Sequence, residues 1–195
     1  MEKFVILDNG HGVETPGKRS PDGTHREWRR CRDIAADIAA RLCACGIESS
    51  LLVPEDSDVP LPVRCRRANA LADAHPGAVL VSIHNNAAGD GSRWLGASGW
   101  CVFVAPEAGE RARRLAALLH CEAAARNLLG NRARAPRGYL EAPLAICRHT
   151  KCPAVLTENM FQDNRGDVAF LASAEGKEAI ASLHVDSLLK YFNIC

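Results

Sequence analysis

The strongest constraint in this chain is a set of short, unbroken apolar runs that each deliver a titratable side chain. Phe4-Val5-Ile6-Leu7 leads into Asp8-Asn9-Gly10-His11-Gly12, Ala78-Val79-Leu80-Val81-Ser82-Ile83 into His84, and Pro153-Ala154-Val155-Leu156-Thr157 into Glu158. Runs this short, rich in branched residues, read as strands buried on both faces. Such strands belong to parallel sheets, which bind ligands beyond the carboxyl ends of their strands. Glycine on either side of His11 lets the backbone turn sharply there and leaves the imidazole uncrowded.

Helical patterns fill the intervals. Ile34, Ile38 and Leu42 recur every four residues and predict a helix over 27–45, stopped by Gly46. A strand is expected over 47–53, helices over 63–74 and 107–129, a strand over 99–105 and a closing helix over 175–192. Ala145-Ile146-Cys147 reads as a further short strand after an irregular, arginine-rich stretch. Strands alternating with helices imply an α/β fold: a single three-layer α/β/α domain with a mostly parallel central sheet. A length of 195 residues suits one domain, and no repeat, low-complexity segment or linker interrupts it.

Composition removes several function classes. A net charge of +1 offers no bulk electrostatic case for nucleic acid or membrane. No stretch approaches the roughly 20 apolar residues of a membrane span. The apolar run after Met1-Glu2-Lys3 is too short for the core of an export signal, so synthesis in the cytoplasm is expected. Nine cysteines, an odd number without Cys-x-x-Cys or zinc-finger spacing, read as reduced and mostly buried thiols. The arginine-rich stretches 26–32 and 111–114 read as solvated helix faces.

If the sheet is parallel, His11, His84 and Glu158 project into one crevice. Glu27 heads the first helix, after a loop that begins at His11, and so returns to the same edge. Two histidines and a carboxylate suit zinc with one position open for water, which leaves a second carboxylate to act as base. On spacing alone, structural roles for these histidines stay open. His25 is a second candidate ligand. A thiol hydrolase built on Cys147 or Cys152 is the rival chemistry, although neither sits at a strand-to-helix nucleophile turn. Asp8 reads either as a partner of a ligand histidine or as a loop cap. Arg148, at the expected end of a short strand, is a candidate for holding a peptide carboxylate or a developing oxyanion, with surface solvation as the alternative.

From Val5 to Phe192 the chain resembles the zinc-dependent N-acetylmuramoyl-L-alanine amidases of the type 3 family, which cleave peptidoglycan. Leu7-Asp8-Asn9-Gly10-His11-Gly12 is similar to that family's Asp-Pro-Gly-His-Gly opening. Glu27 with Asp33-Ile34-Ala35, Arg64 with Ala68-Asn69, and Ser82-Ile83-His84-Asn85-Asn86-Ala87 follow in the family's order. Arg137-Gly138 and Cys147-Arg148-His149-Thr150 match later segments, and Glu158-Asn159-Met160-Phe161-Gln162-Asp163-Asn164 resembles Glu-x-Gly-Phe-x-x-Asn.

The resemblance implies one Zn²⁺ per chain held by His11, Glu27 and His84, with Glu158 as the catalytic carboxylate. It implies hydrolysis of the amide between N-acetylmuramic acid and L-alanine, with Glu158 moving the proton from water to the leaving amine. Asn86 and Arg148 are candidate substrate contacts. Asn9, Asn85 and Met160 stand where the family has proline, a small residue and glycine. The expected substrate is peptidoglycan or a muropeptide. The expected role is that of an endolysin with a single catalytic domain, delivered to the wall by another protein. The alternatives are a zinc hydrolase of the same fold acting on soluble muropeptides or N-acyl amino acids in the cytoplasm, and a non-catalytic wall-binding module.

Overall fold

The computed structural model describes residues 3–131 and 135–194. In chain order the elements are β1 (Phe4–Asn9), α1 (Glu27–Ala44), β2 (Glu48–Leu51), α2 (Leu61–Ala74), β3 (Val79–Asn86) and β4 (Cys101–Val104). Then come α3 (Glu110–Ala125), β5 (Leu140–Glu141), α4 (Ala145–Arg148), β6 (Ala154–Phe161), α5 (Arg165–Ala172) and α6 (Ala174–Tyr191). The strands form one sheet in the order β2-β1-β3-β6-β4-β5. Every neighbouring pair is parallel except β4 with β6, which is antiparallel.

The apolar runs are continuous because both faces of the sheet are covered. Val5, Leu7, Val79, Val81, Ile83 and Val155 point into one core layer with residues of α1, α3 and α6. Phe4, Ile6, Leu80, Ala154 and Leu156 point into the other, with residues of α2 and α4. A three-layer α/β/α domain results. Among the described residues no helix is long and apolar enough to cross a membrane.

Three expectations are corrected. Ala145-Ile146-Cys147 is the helical turn α4, not a strand; Ile146 and Cys147 bury against the α2 layer, and so short an apolar run carries no periodicity to tell the two apart. Helix α5 was not foreseen, although Asn164 caps it by accepting from the Asp167 backbone N–H at 3.1 Å. Strand β6 continues past Glu158 to Phe161, so Glu158 lies within a strand rather than at its end.

The continuation contains a bulge. His84 pairs with Glu158 and Asn86 with Phe161, so three steps of β6 oppose two of β3. Met160 takes a left-handed φ of +68° there. Val155 and Met160 both reach the α1–α6 layer, which strict alternation from 155 forbids. The extra residue therefore reverses the facing of everything after it.

His184 on α6 is fully buried; its Nδ1–H donates to the Ile180 carbonyl at 2.8 Å and its Nε2 lies 3.1 Å from the Thr157 hydroxyl. Burial pulls its pKa from 6.5 down to about 4. The unfolded chain then takes up a proton that the folded one refuses, so this stability is complete above pH 6.5 and is lost as pH falls toward 4. The loss should be about 3 kcal/mol. Urea unfolding at pH 7 and pH 4.5 should show it, and His184→Gln should flatten the difference.

Candidate active site

The site begins where β1 ends. His11 is held at a φ of +61°, a conformation that costs a non-glycine residue energy and that the surrounding structure must enforce. Alongside an Arg32 Nη1 hydrogen bond to the His11 carbonyl at 3.1 Å, Arg64 on α2 restrains it. Its buried guanidinium donates to the Val59 carbonyl (2.7 Å), Asp8 Oδ1 (2.8 Å), the Asn9 carbonyl (2.7 Å), the His11 carbonyl (3.2 Å) and Asp58 Oδ1 (3.2 Å). Asp8 Oδ2 accepts from Ser82 at 2.6 Å. Asp8 is thus committed to Arg64 and Ser82 rather than to a histidine ring, and it supports His11 only through the arginine. Gly10 is required by contact: a Cβ there would fall 2.3 Å from the His84 ring.

Glu27 is the first residue of α1 and is completely buried. Its Oε1 lies 3.2 Å from His11 Nε2 and 3.1 Å from His84 Nδ1, and the two ring nitrogens are 3.2 Å apart. The Asn85 backbone N–H also donates to Oε1, at 3.1 Å. On the other oxygen, Gln162 Nε2 donates to Oε2 at 3.1 Å and Lys18 Nζ stands 3.9 Å away. Burial opposes the Glu27 charge, but hydrogen bonds from His11 and His84 outweigh it and hold the carboxyl well below its ordinary range. His11 is lowered, mainly by burial. Burial also opposes charge on His84, but the Glu27 hydrogen bond and charge raise it overall.

The donor set fits a metal. Among the described residues, His11, Glu27 and His84 form a group with all three ligand atoms within 4.8 Å of one another. Tetrahedral ligands at zinc–nitrogen distances stand about 3.3 Å apart, close to the separations found here. Two imidazoles and one carboxylate oxygen also have the right chemistry.

Glu158 stands on β6 opposite His84. Its Oε2 is buried without a hydrogen-bond partner among the described residues. Burial, against the nearby His84 charge, pushes its pKa up to about 7. Beside His11 and His84 opens a cavity of about 450 Å³, lined also by Val59, Leu61, Leu144, Ile146 and Leu156.

Other candidates lie elsewhere. Asn86 follows His84 on β3; its amide donates to Cys101 Sγ at 3.8 Å and its Oδ1 accepts from the Ala87 N–H at 2.9 Å. Arg148 sits on α4, ion-paired with Glu107 at 2.5 Å, in a cavity lined by α3 and the 147–154 segment rather than by the histidines. His25 is buried against Asn85 Oδ1 at 3.0 Å and does not join the cluster. Burial pushes the Cys147 thiol to about 12 and the Cys152 thiol to about 11, so neither supplies a thiolate near neutral pH. The clamping role of Arg64 and the Gln162 contact were not foreseen. For Arg64 the signal was its place with Ala68-Asn69 in the family's order; for Gln162 there was none.

A family model described as N-acetylmuramoyl-L-alanine amidase matches residues 5–190. The chain is 30% identical over 200 residues to an endolysin of Bacillus phage SPP1, covering 100% of this chain and 68% of that protein. It is 30% identical over 192 residues to the N-acetylmuramoyl-L-alanine amidase CwlM of Bacillus licheniformis, covering 97% and 69%. Among solved structures, the N-acetylmuramoyl-L-alanine amidase of Clostridium difficile 630 superposes with a TM-score of 0.84 at 22% identity, over 98% of this chain and 97% of that one. The catalytic domain of CwlV from Bacillus (Paenibacillus) polymyxa var. colistinus gives 0.81 at 22%, over 99% of each. These two structures share the six-stranded, mostly parallel sheet flanked by helices.

Arg64→Met leaves Asp8 buried without its cation and should destabilise the fold by about 3–5 kcal/mol. Arg64→Lys restores the charge without the planar fork and should recover less than half of that loss. Urea unfolding of the three proteins measures both.

Proposed function

The chain belongs to the N-acetylmuramoyl-L-alanine amidase family, and from that premise we propose a zinc-dependent peptidoglycan amidase with an endolysin role. The reaction is hydrolysis of the amide between N-acetylmuramic acid and L-alanine. The observation that carries the zinc reading is the convergence of His11 Nε2, His84 Nδ1 and Glu27 Oε1 at 3.1–3.2 Å, with the unpartnered Glu158 Oε2 on the adjacent strand. The endolysin role is supported by the alignment with the phage protein along the whole chain.

His11, Glu27 and His84 would hold the ion. When bound, zinc supplies Lewis acidity toward the amide carbonyl and acidity to water near neutral pH. Glu158 Oε2 takes one proton from the attacking water as its oxygen adds to the carbonyl carbon. It then gives that proton to the alanine nitrogen as the carbon–nitrogen bond breaks, leaving the amine and the muramyl carboxylic acid, whose remaining proton passes to solvent or to the amine. Burial lifts this carboxyl above its ordinary range, which lowers the cost of taking up the proton before it is returned. The cavity beside His11 and His84 offers an apolar wall to the groups flanking the scissile bond.

Elemental analysis should find one zinc per chain, and a strong chelator should abolish activity that added zinc restores. The product should carry a free L-alanine amino terminus and no new reducing sugar end; new reducing ends would overturn the reading. Action on intact sacculi, and not on soluble muropeptides alone, would support the endolysin role.

The two carboxylates should separate. Glu27→Ala should lose zinc affinity and activity together. Glu158→Gln should keep zinc and fold while losing roughly a hundred- to ten-thousand-fold in rate. Loss of zinc by Glu158→Gln with retention by Glu27→Ala would reverse the assignment. Because Glu158 must be ionised to take the proton, kcat/KM should fall as pH drops through its pKa, which a bound cation draws below 7.

A further inference from the structure

We infer that Gln162 is a positioning residue: its side-chain amide fixes Glu27 so that a single carboxylate oxygen faces the two histidines. The inference rests on the reading of His11, Glu27 and His84 as zinc ligands. Gln162 is buried, and its Nε2 donates to Glu27 Oε2 at 3.1 Å. The oxygen so held is the one turned away from His11 and His84, which both face Oε1. A glutamate's terminal torsion is soft, so an untethered carboxylate exchanges its two oxygens or turns both toward the same ion. A donor on Oε2, together with the Asn85 N–H on Oε1, stops that rotation.

Two features show that the fold accepts costs to place this amide. Gln162 Oε1 is buried with no hydrogen-bond partner among the described residues, a penalty that an apolar side chain of the same size would avoid. The contact also depends on the β6 bulge. The extra residue, with Met160 at a φ of +68°, reverses the facing of the strand after Glu158. Glu158 consequently stays beside His84 while Gln162, four residues on, reaches Glu27 at the head of α1. The Gln162 backbone N–H is anchored to the Asn86 carbonyl at 2.8 Å. The resemblance motif Glu-x-Gly-Phe-x-x-Asn leaves this position open, so the role comes from the geometry of this chain alone.

The test is zinc affinity of the substrate-free protein, read by competition with a chromophoric chelator, for the unsubstituted chain and Gln162→Met. Methionine fills the space and removes the donor. Affinity should fall 10- to 100-fold, the usual scale for an outer partner of a ligand. The metal-free proteins should melt within a few degrees of each other, since the substitution also removes the unpaired oxygen. In a Glu27→Ala background, adding Gln162→Met should change affinity less than threefold, because the amide acts through that carboxylate. Equal zinc affinity in Gln162→Met and the unsubstituted chain would overturn the inference and leave the metal reading standing. Failure of the unsubstituted chain to bind zinc would overturn the metal reading, and this inference with it.

Discussion

The constraint on which this structure turns is the complete burial of one carboxylate, Glu27, at the start of α1. A buried carboxylate is tolerated only when opposing charge and hydrogen-bond donors surround it. His11, His84, the Asn85 N–H and Gln162 do so, drawn from the loop after β1, from β3 and its end, and from the segment after β6. Those segments must arrive together for the charge to be stable at all. The order β1-β3-β6 at the centre of the sheet brings them there, since neighbouring parallel strands deliver their carboxyl ends to one edge.

Holding that arrangement concentrates strain in the same place. His11 has positive φ, Gly10 admits no Cβ against the His84 ring, and Met160 carries positive φ within a strand. Backbone strain of this kind persists where the surroundings over-determine it. Arg64 is the clearest restraint, with five acceptors spanning β1, its following loop and the 58–59 segment. At Met160 the compensation is apolar: the side chain is buried in the core layer beside α1 and α6, which a glycine there would leave unfilled.

The electrostatic division between the two glutamates has the same origin. Glu27 and Glu158 are chemically alike, yet Glu27 is held ionised by its histidines while Glu158 is pushed up to about 7 by burial with an unpartnered oxygen. Environments that drive two carboxylates apart in pKa are those that give them different work. His184 shows that a perturbed pKa alone does not mark a catalytic group. It is lowered to about 4 by burial, but its ring nitrogens face the Ile180 carbonyl and the Thr157 hydroxyl inside the core.

Local pattern in the chain specifies the fold class and the identity of the groups that meet. Continuous branched runs at 4–7, 78–83 and 153–157 specify two-faced strands, the 27–45 periodicity specifies the helix between the first two strands, and the residues ending the runs are His11, His84 and Glu158. These signals are local, and local pattern is what chain geometry converts directly into strands and helices. Tertiary structure alone decided the pairings. Three apolar residues at 145–147 became a helical turn because the α2 layer, not a sheet edge, receives Ile146 and Cys147, and Arg148 was carried with them to Glu107. Asp8 went to Arg64 rather than to a histidine, and Gln162 reached Glu27 through a one-residue bulge. Such outcomes depend on register and on contacts between residues dozens of positions apart, where one extra residue in a strand reverses which face each later side chain meets.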